Sequence, residues 1–206
     1  MNFIRILLLT LFSLLVSACS SAREKIQTLS PESALVAPLI DPAKLATLGD
    51  RQSNPRIQKV VAILLIAKQA GKDPEKIVAD SIIRIGWDGT KKGTLTAKAL
   101  IRNLTIVERL GAATLADIES MKRGRSPTVR KGSYDGDIVS VDHIVPRSIA
   151  PELDNVIANL EVMPLKLNMR KGDKVGDRQM DLAGKLHDAG LLSDAGLERV
   201  KLAFRE

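Results

Sequence analysis

Apolar side chains run from Ile6 to Val16, broken only by Thr10 and Ser13. Up to residue 55 they then give way to isolated hydrophobics among turn residues. From Arg56 the spacing becomes helical. Ile57, Val60, Val61, Leu64 and Leu65 recur on one face, and Gly71 closes the segment. The apolar run 60–67 is far shorter than the ~20 residues a membrane span needs, so it reads as a buried core helix. Asp73-Pro74 opens a second helix, with Ile77, Val78, Ile82 and Ile85 inward and Gly86 at its end. A third is predicted over 94–110, with Leu95, Ala99, Leu100, Leu104 and Val107 on one face, and a fourth over 115–121.

The pattern changes after residue 121. The stretch 122–132 carries Lys122, Arg123, Arg125, Arg130 and Lys131 with two glycines and no acid, and it reads as a flexible basic loop. Residues 138–148 are β-branched and limited by Pro146, which predicts a strand. Residues 151–158 read as a polar loop. Leu160-Glu161-Val162-Met163 alternates as a second strand, and a helix is expected from about Leu167. Amphipathic helices follow over 182–204. The predicted fold class is α+β, mostly helical. A helical module covers 56–121, and a domain over 122–206 holds strand, loop, strand and helix, supported by packing against the helices on both sides.

Composition narrows the function. Hydrophobic residues make up 45% and charged residues 27%, which supports a packed core. Aromatics are only 2%, so rows of base-stacking rings are excluded; Trp87 and Tyr134 are expected to pack. The net charge of +7 is compatible with a polyanionic partner. One cysteine excludes both an internal disulfide and a cysteine-based structural zinc site. The only histidines are His143 and His187. The latter lies in an amphipathic stretch and reads as non-catalytic.

Residues 1–18 have the parts of a secretory signal: Arg5, the apolar run, then Ser17 and Ala18. Val16-Ser17-Ala18-Cys19 resembles the lipobox of bacterial lipoproteins, which implies lipidation at Cys19 and an exported, envelope-anchored protein. In a Gram-negative host the absence of Asp after Cys19 favours the outer membrane. Residues 19–55, with Pro31, Pro38, Pro42 and Pro55, read as a tether containing one short helix at 43–48.

The chemistry-bearing positions are Asp142-His143 before Ile144-Val145-Pro146, then Asn159-Leu160, Asn168 nine positions later, and Lys171-Gly172-Asp173. This pattern resembles the HNH endonucleases, which have a ββα-metal fold. The likeness is greatest to members with Asn at the third position, including the target-strand nicking domain of RNA-guided CRISPR nucleases. It covers about 40 of the 206 residues. Unlike many members, the chain has no paired cysteines for structural zinc, so packing must support the small unit.

The resemblance implies a phosphodiester hydrolase acting on DNA. His143 would be the general base, and Asp142 and Asn168 oxygen ligands of one divalent cation, Mg²⁺ or Mn²⁺. Asn159 would brace the loop and orient the histidine; Asn155 competes for that role but sits in a turn-like position. Arg147, Arg130, Lys131, Arg170 and Lys171 are candidates for phosphate contact, or else solvated basic residues. No base-reading module is recognisable, so sequence preference should be low. The competing reading is a non-catalytic envelope lipoprotein that binds DNA or protein on the same scaffold.

Overall fold

The computed structural model describes residues 29–40 and 54–205. Pro31–Ile40 (α1), Pro55–Gln69 (α2), Pro74–Arg84 (α3), Lys91–Arg109 (α4) and Leu115–Lys122 (α5) precede two strands, Val139–His143 (β1) and Leu160–Pro164 (β2). Leu165–Lys171 (α6), Asp177–Asp188 (α7) and Asp194–Arg205 (α8) follow. The class is α+β and mostly helical. Among the described residues no helix is long and apolar enough to cross a membrane.

Side-chain caps set the helix starts. Asn54 accepts from the Ile57 N–H at 3.2 Å, Asp73 from Glu75 at 2.8 Å and Thr90 from Gly93 at 3.1 Å. Thr114 and Asp117 form a reciprocal capping box at α5. Each such cap is worth about 1 kcal/mol. The Thr90 cap starts α4 at Lys91, ahead of the expected residue 94.

Two segments differ from expectation. Pro31–Ile40, expected within the tether, is a helix with Val36, Ala37 and Ile40 buried at helical spacing. Pro31 stands at its start, where a missing N–H costs nothing. α3 holds it: Asp80 accepts from the Ser30 N–H at 2.8 Å, and Arg84 Nε donates to Ser33 Oγ at 2.5 Å. The expected helix at 43–48, the leader and Cys19 lie outside the described residues. The loop at 151–158 is not polar. Its short 3-10 turns bury Leu153, Val156, Ile157 and Ala158.

One hydrophobic core joins the helices to the sheet: Ile40, Ile57, Leu64, Ile77, Leu100 and Leu104 pack with Val139, Val141, Leu160 and Val162. A second, smaller core packs Val145 and Leu153 against Ala183 and Leu186 of α7 and Val200 of α8. Each fully buried side chain of this kind contributes about 1.5–3 kcal/mol.

β1 and β2 pair antiparallel, with Val141 opposite Val162 and Asp142 opposite Glu161. Alternation sends the valines into the first core and Ser140 and Asp142 to the other face, where α6 packs. Two strands alone are marginal in water, so their edges need partners. Buried Asn103 of α4 covers the outer edge of β2: Nδ2 donates to the Leu160 carbonyl at 3.1 Å, and Oδ1 accepts the Val162 N–H at 3.0 Å. The edge of β1 is covered by 127–128, where the Val139 N–H donates to the Pro127 carbonyl at 3.0 Å and Ile138 pairs with Thr128.

Candidate active site

β1 ends on the consecutive residues Asp142 and His143, after which the chain turns through Pro146. Asn159, fully buried just before β2, clasps this turn. Its Oδ1 accepts the Val145 N–H at 2.8 Å, and its Nδ2 donates to the Val145 carbonyl at 3.0 Å. The Asn159 carbonyl also accepts the Ile144 N–H at 2.8 Å. An asparagine amide is suited to this because it pairs with both groups of a peptide without bringing charge. Arg56 of α2 holds the loop from beneath, donating through Nη2 to the Asn155 carbonyl at 2.7 Å. Asn155 thus enters through its backbone, and the side-chain bracing belongs to Asn159.

α6 follows β2 with no linker and folds back over β1. Asn168 and Lys171, three residues apart, lie on one helix face. Asn168 Nδ2 is 3.2 Å from Ser140 Oγ, which leaves the amide oxygen as its remaining polar atom. Lys171 Nζ is 2.8 Å from Asp142 Oδ2 and donates to the His143 carbonyl at 2.9 Å. Gly172, at φ 57°, stops the helix immediately afterwards.

His143 Nε2 lies 2.9 Å from the Asp154 carbonyl oxygen and 3.2 Å from Asp154 Oδ1. A carbonyl oxygen only accepts, so Nε2 carries the hydrogen and, in the neutral ring, Nδ1 holds the lone pair. Burial pushes the Asp142 carboxyl above its ordinary value, a rise that the Lys171 ammonium opposes.

Asp142, His143, Arg147, Asn168 and Lys171 line one open cavity of about 700 Å³, with Asp154 on its wall. Arg147 Nε is 3.9 Å from Asp154 Oδ1. Asn159 lies behind the cavity, among the groups that shape it. Among the described residues no three His, Cys, Asp or Glu side chains cluster as a metal cage. Asp142 and Asn168 bring oxygen donors to the cavity from β1 and α6, and Asp154, Asp173 and Ser148 also line it, the Ser148 hydroxyl donating to Asp173 Oδ2 at 2.7 Å.

The remaining basic candidates do not line this cavity. Arg130 Nη1 pairs with Asp117 Oδ2 at 2.5 Å. The Lys131 stem lies against Gly111, and Arg170 donates to the Tyr134 hydroxyl with its guanidinium over the ring. The basic loop is not free either. Val129 is buried and its N–H donates to the Asp137 carbonyl at 2.8 Å, while the Arg130 N–H donates to the Leu110 carbonyl at 2.8 Å. An apolar residue amid the charges draws the segment onto the core.

Asp154, Ser140 and Asn103 were not singled out from sequence. Asn103 had a signal, a polar residue within the stripe Ala99, Leu100, Leu104 and Val107. Asp154 had none beyond its turn-like neighbourhood. Comparison with protein-family models, with curated proteins and with solved structures finds no match.

Proposed function

We propose that the chain is a metal-dependent endonuclease of the HNH kind, hydrolysing DNA phosphodiester bonds with little sequence preference. One observation carries this reading: Asp142 and His143 at the end of β1 and Asn168 on α6 line a single cavity, with Asn159 clasping the turn behind them. The strand–loop–strand–helix order agrees with a ββα unit.

His143, its Nε2–H committed to Asp154, takes through Nδ1 the proton of the water that attacks phosphorus. The bond from phosphorus to the 3′ oxygen breaks, leaving a 5′-phosphate and a 3′-hydroxyl. Arg147 and Lys171 offer positive charge to the non-bridging oxygens. Asp142 and Asn168 would hold Mg²⁺ or Mn²⁺, which when bound offsets charge developing on the phosphate and the leaving oxygen. The residues fit such a hard cation. The Asp142 carboxylate and the His143 carbonyl already converge on positive charge, that of Lys171 Nζ. The lipobox-like segment ending at Cys19 supports an exported enzyme, lipid-anchored at the envelope.

That same ammonium favours one competing reading, a non-catalytic DNA- or protein-binding scaffold in which lysine has replaced the cation for good. Supercoiled plasmid incubated with the purified protein and Mg²⁺ or Mn²⁺ separates the two. Relaxation that needs the cation is expected of the nuclease. Intact plasmid with folded protein and either cation supports the scaffold.

A further inference from the structure

A second cleft, of about 240 Å³, opens beside the same strands. Its wall includes Ile144, the residue after His143, together with Lys98 and Arg102 of α4 and Arg178, Asp181 and Lys185 of α7. The helical spacing accounts for the convergence. Lys98 and Arg102 are one turn apart, and Arg178, Asp181 and Lys185 fall on one face of α7. Two helices from distant parts of the chain therefore each turn a basic edge to one concave surface.

The positive charge there is only partly offset. Both guanidiniums share a single carboxylate, that of buried Glu161: Arg102 Nε is 3.1 Å from Oε1, and Arg178 Nη2 donates to the same oxygen. Lys185 pairs with Asp181 at 2.5 Å. Lys98 has no carboxylate partner among the described residues. Four cations thus face two carboxylates. Burial pulls the Arg102 guanidinium below the ordinary arginine value, Glu161 opposes this, and the Arg178 charge adds to it. An anion entering the cleft would relieve that repulsion. Arg102 Nη2 already donates to the Leu160 carbonyl at 3.0 Å, so the two lysines and the Arg178 guanidinium are the donors that suit the tetrahedral oxygens of a phosphate, with the Arg102 charge behind them.

The cleft is also coupled to the candidate active site. Glu161, which holds both arginines, stands directly opposite Asp142 in the strand register. Directly opposed residues in an antiparallel pair are about 4.5–5.5 Å apart. We infer that this cleft binds a backbone phosphate of the nucleic acid, neighbouring the phosphodiester presented to His143. That the phosphate belongs to DNA under cleavage rests on the nuclease reading; the anion chemistry does not.

Lys98→Gln with Lys185→Gln tests this. Both lysines are off the Glu161 pairing, so the buried carboxylate keeps both of its arginines. Duplex binding is measured by fluorescence anisotropy across salt concentrations, with His143→Ala as the background so that no cleavage intervenes. The charge-matched control is Lys59→Gln with Lys68→Gln on α2, which line neither cavity. The expected result is affinity about tenfold weaker than in the control pair, the worth of one charge-assisted contact. The slope of log affinity against log salt should also shallow by about 1. Affinity and slope equal to those of the control pair would overturn the assignment. So would loss of binding to phosphatidylglycerol vesicles with duplex binding intact, since the cleft would then serve a membrane. Plasmid left uncut by wild type together with the weakened duplex binding would remove the nuclease and keep the cleft.

Discussion

Lys171 Nζ stands 2.8 Å from Asp142 Oδ2, so the carboxylate proposed to hold a divalent cation already holds an ammonium. Both side chains are largely buried, and neither charge is fully screened. A divalent cation held by Asp142 would have to compete with Lys171 for the carboxylate. Lys171→Met should therefore lower the Tm without metal, since it leaves the buried carboxylate unpaired at a cost of about 3–5 kcal/mol. It should also enlarge the rise in Tm caused by Mn²⁺. Calorimetry with and without Mn²⁺ reads both effects. An unchanged response to Mn²⁺ would mean that the metal does not meet Asp142.

Asp142 itself should be a stability liability at neutral pH. Its folded-state pKa is raised, chiefly by burial, so its favourable contribution is present below the ordinary aspartate value of 3.8 and is lost as pH rises through the raised value. Asp142→Asn should match or exceed wild-type stability at pH 7. That advantage should vanish as pH falls below 3.8, where both side chains are neutral. Urea midpoints at pH 7 and pH 3.5 check the sign, and a variant less stable than wild type at pH 7 contradicts it.

The opposite dependence is expected at Asp117. Burial raises its pKa, but hydrogen bonds from Thr114, Arg130 and the Thr128 N–H outweigh this and hold it below 3.8. Its contribution is present above 3.8 and lost as pH falls through the depressed value. Asp117→Asn should cost about 2 kcal/mol at pH 7 and much less near pH 2, because it removes the cap and the tie to the basic loop. Equal cost at both pH values would rule out the carboxylate as the source.

Two buried asparagines permit a comparison of structural and functional bracing. Asn103→Ala exposes the edge of β2, and Asn159→Ala frees both polar groups of Val145. Each should cost about 2–4 kcal/mol, two unmade buried hydrogen bonds apiece. At a temperature where both variants are folded, Asn159→Ala should lose the larger share of cleavage rate, because it loosens the turn that follows His143. Equal residual rates would assign Asn159 a purely structural part.

How much of this was legible in the sequence depended on periodicity. The α2 and α3 stripes, such as Ile57, Val61 and Leu64, and the run Val139–His143 stated their elements plainly, because one face had to be buried. The grouping of Asp142, His143 and Asn168 came from the resemblance to the HNH endonucleases, and the structure brings the three side chains to one cavity. Pro31–Ile40 was hidden by its prolines, although Pro31 occupies a start position and Val36 and Ile40 keep helical spacing. The loop 151–158 looked polar through Glu152, Asp154 and Asn155, yet Leu153, Val156 and Ile157 decide its burial. The contacts of Arg56 with Asn155, and of Arg102 and Arg178 with Glu161, join elements far apart in the chain. Local pattern carries no trace of such pairs.

His143 carries the central claim, and its removal is the most direct test. Wild type and His143→Ala would be compared for initial rate of plasmid cleavage in Mg²⁺ and in Mn²⁺, with matching Tm values as the control for folding. His143 is part-exposed, and its side-chain contacts run to Asp154, so the Tm should change little. Loss of a general base should slow cleavage by about 10²–10⁴-fold, with the wild-type rate abolished by chelation. Equal rates for the two proteins, or cleavage that survives the chelator, would contradict His143 as the base of a metal-dependent nuclease.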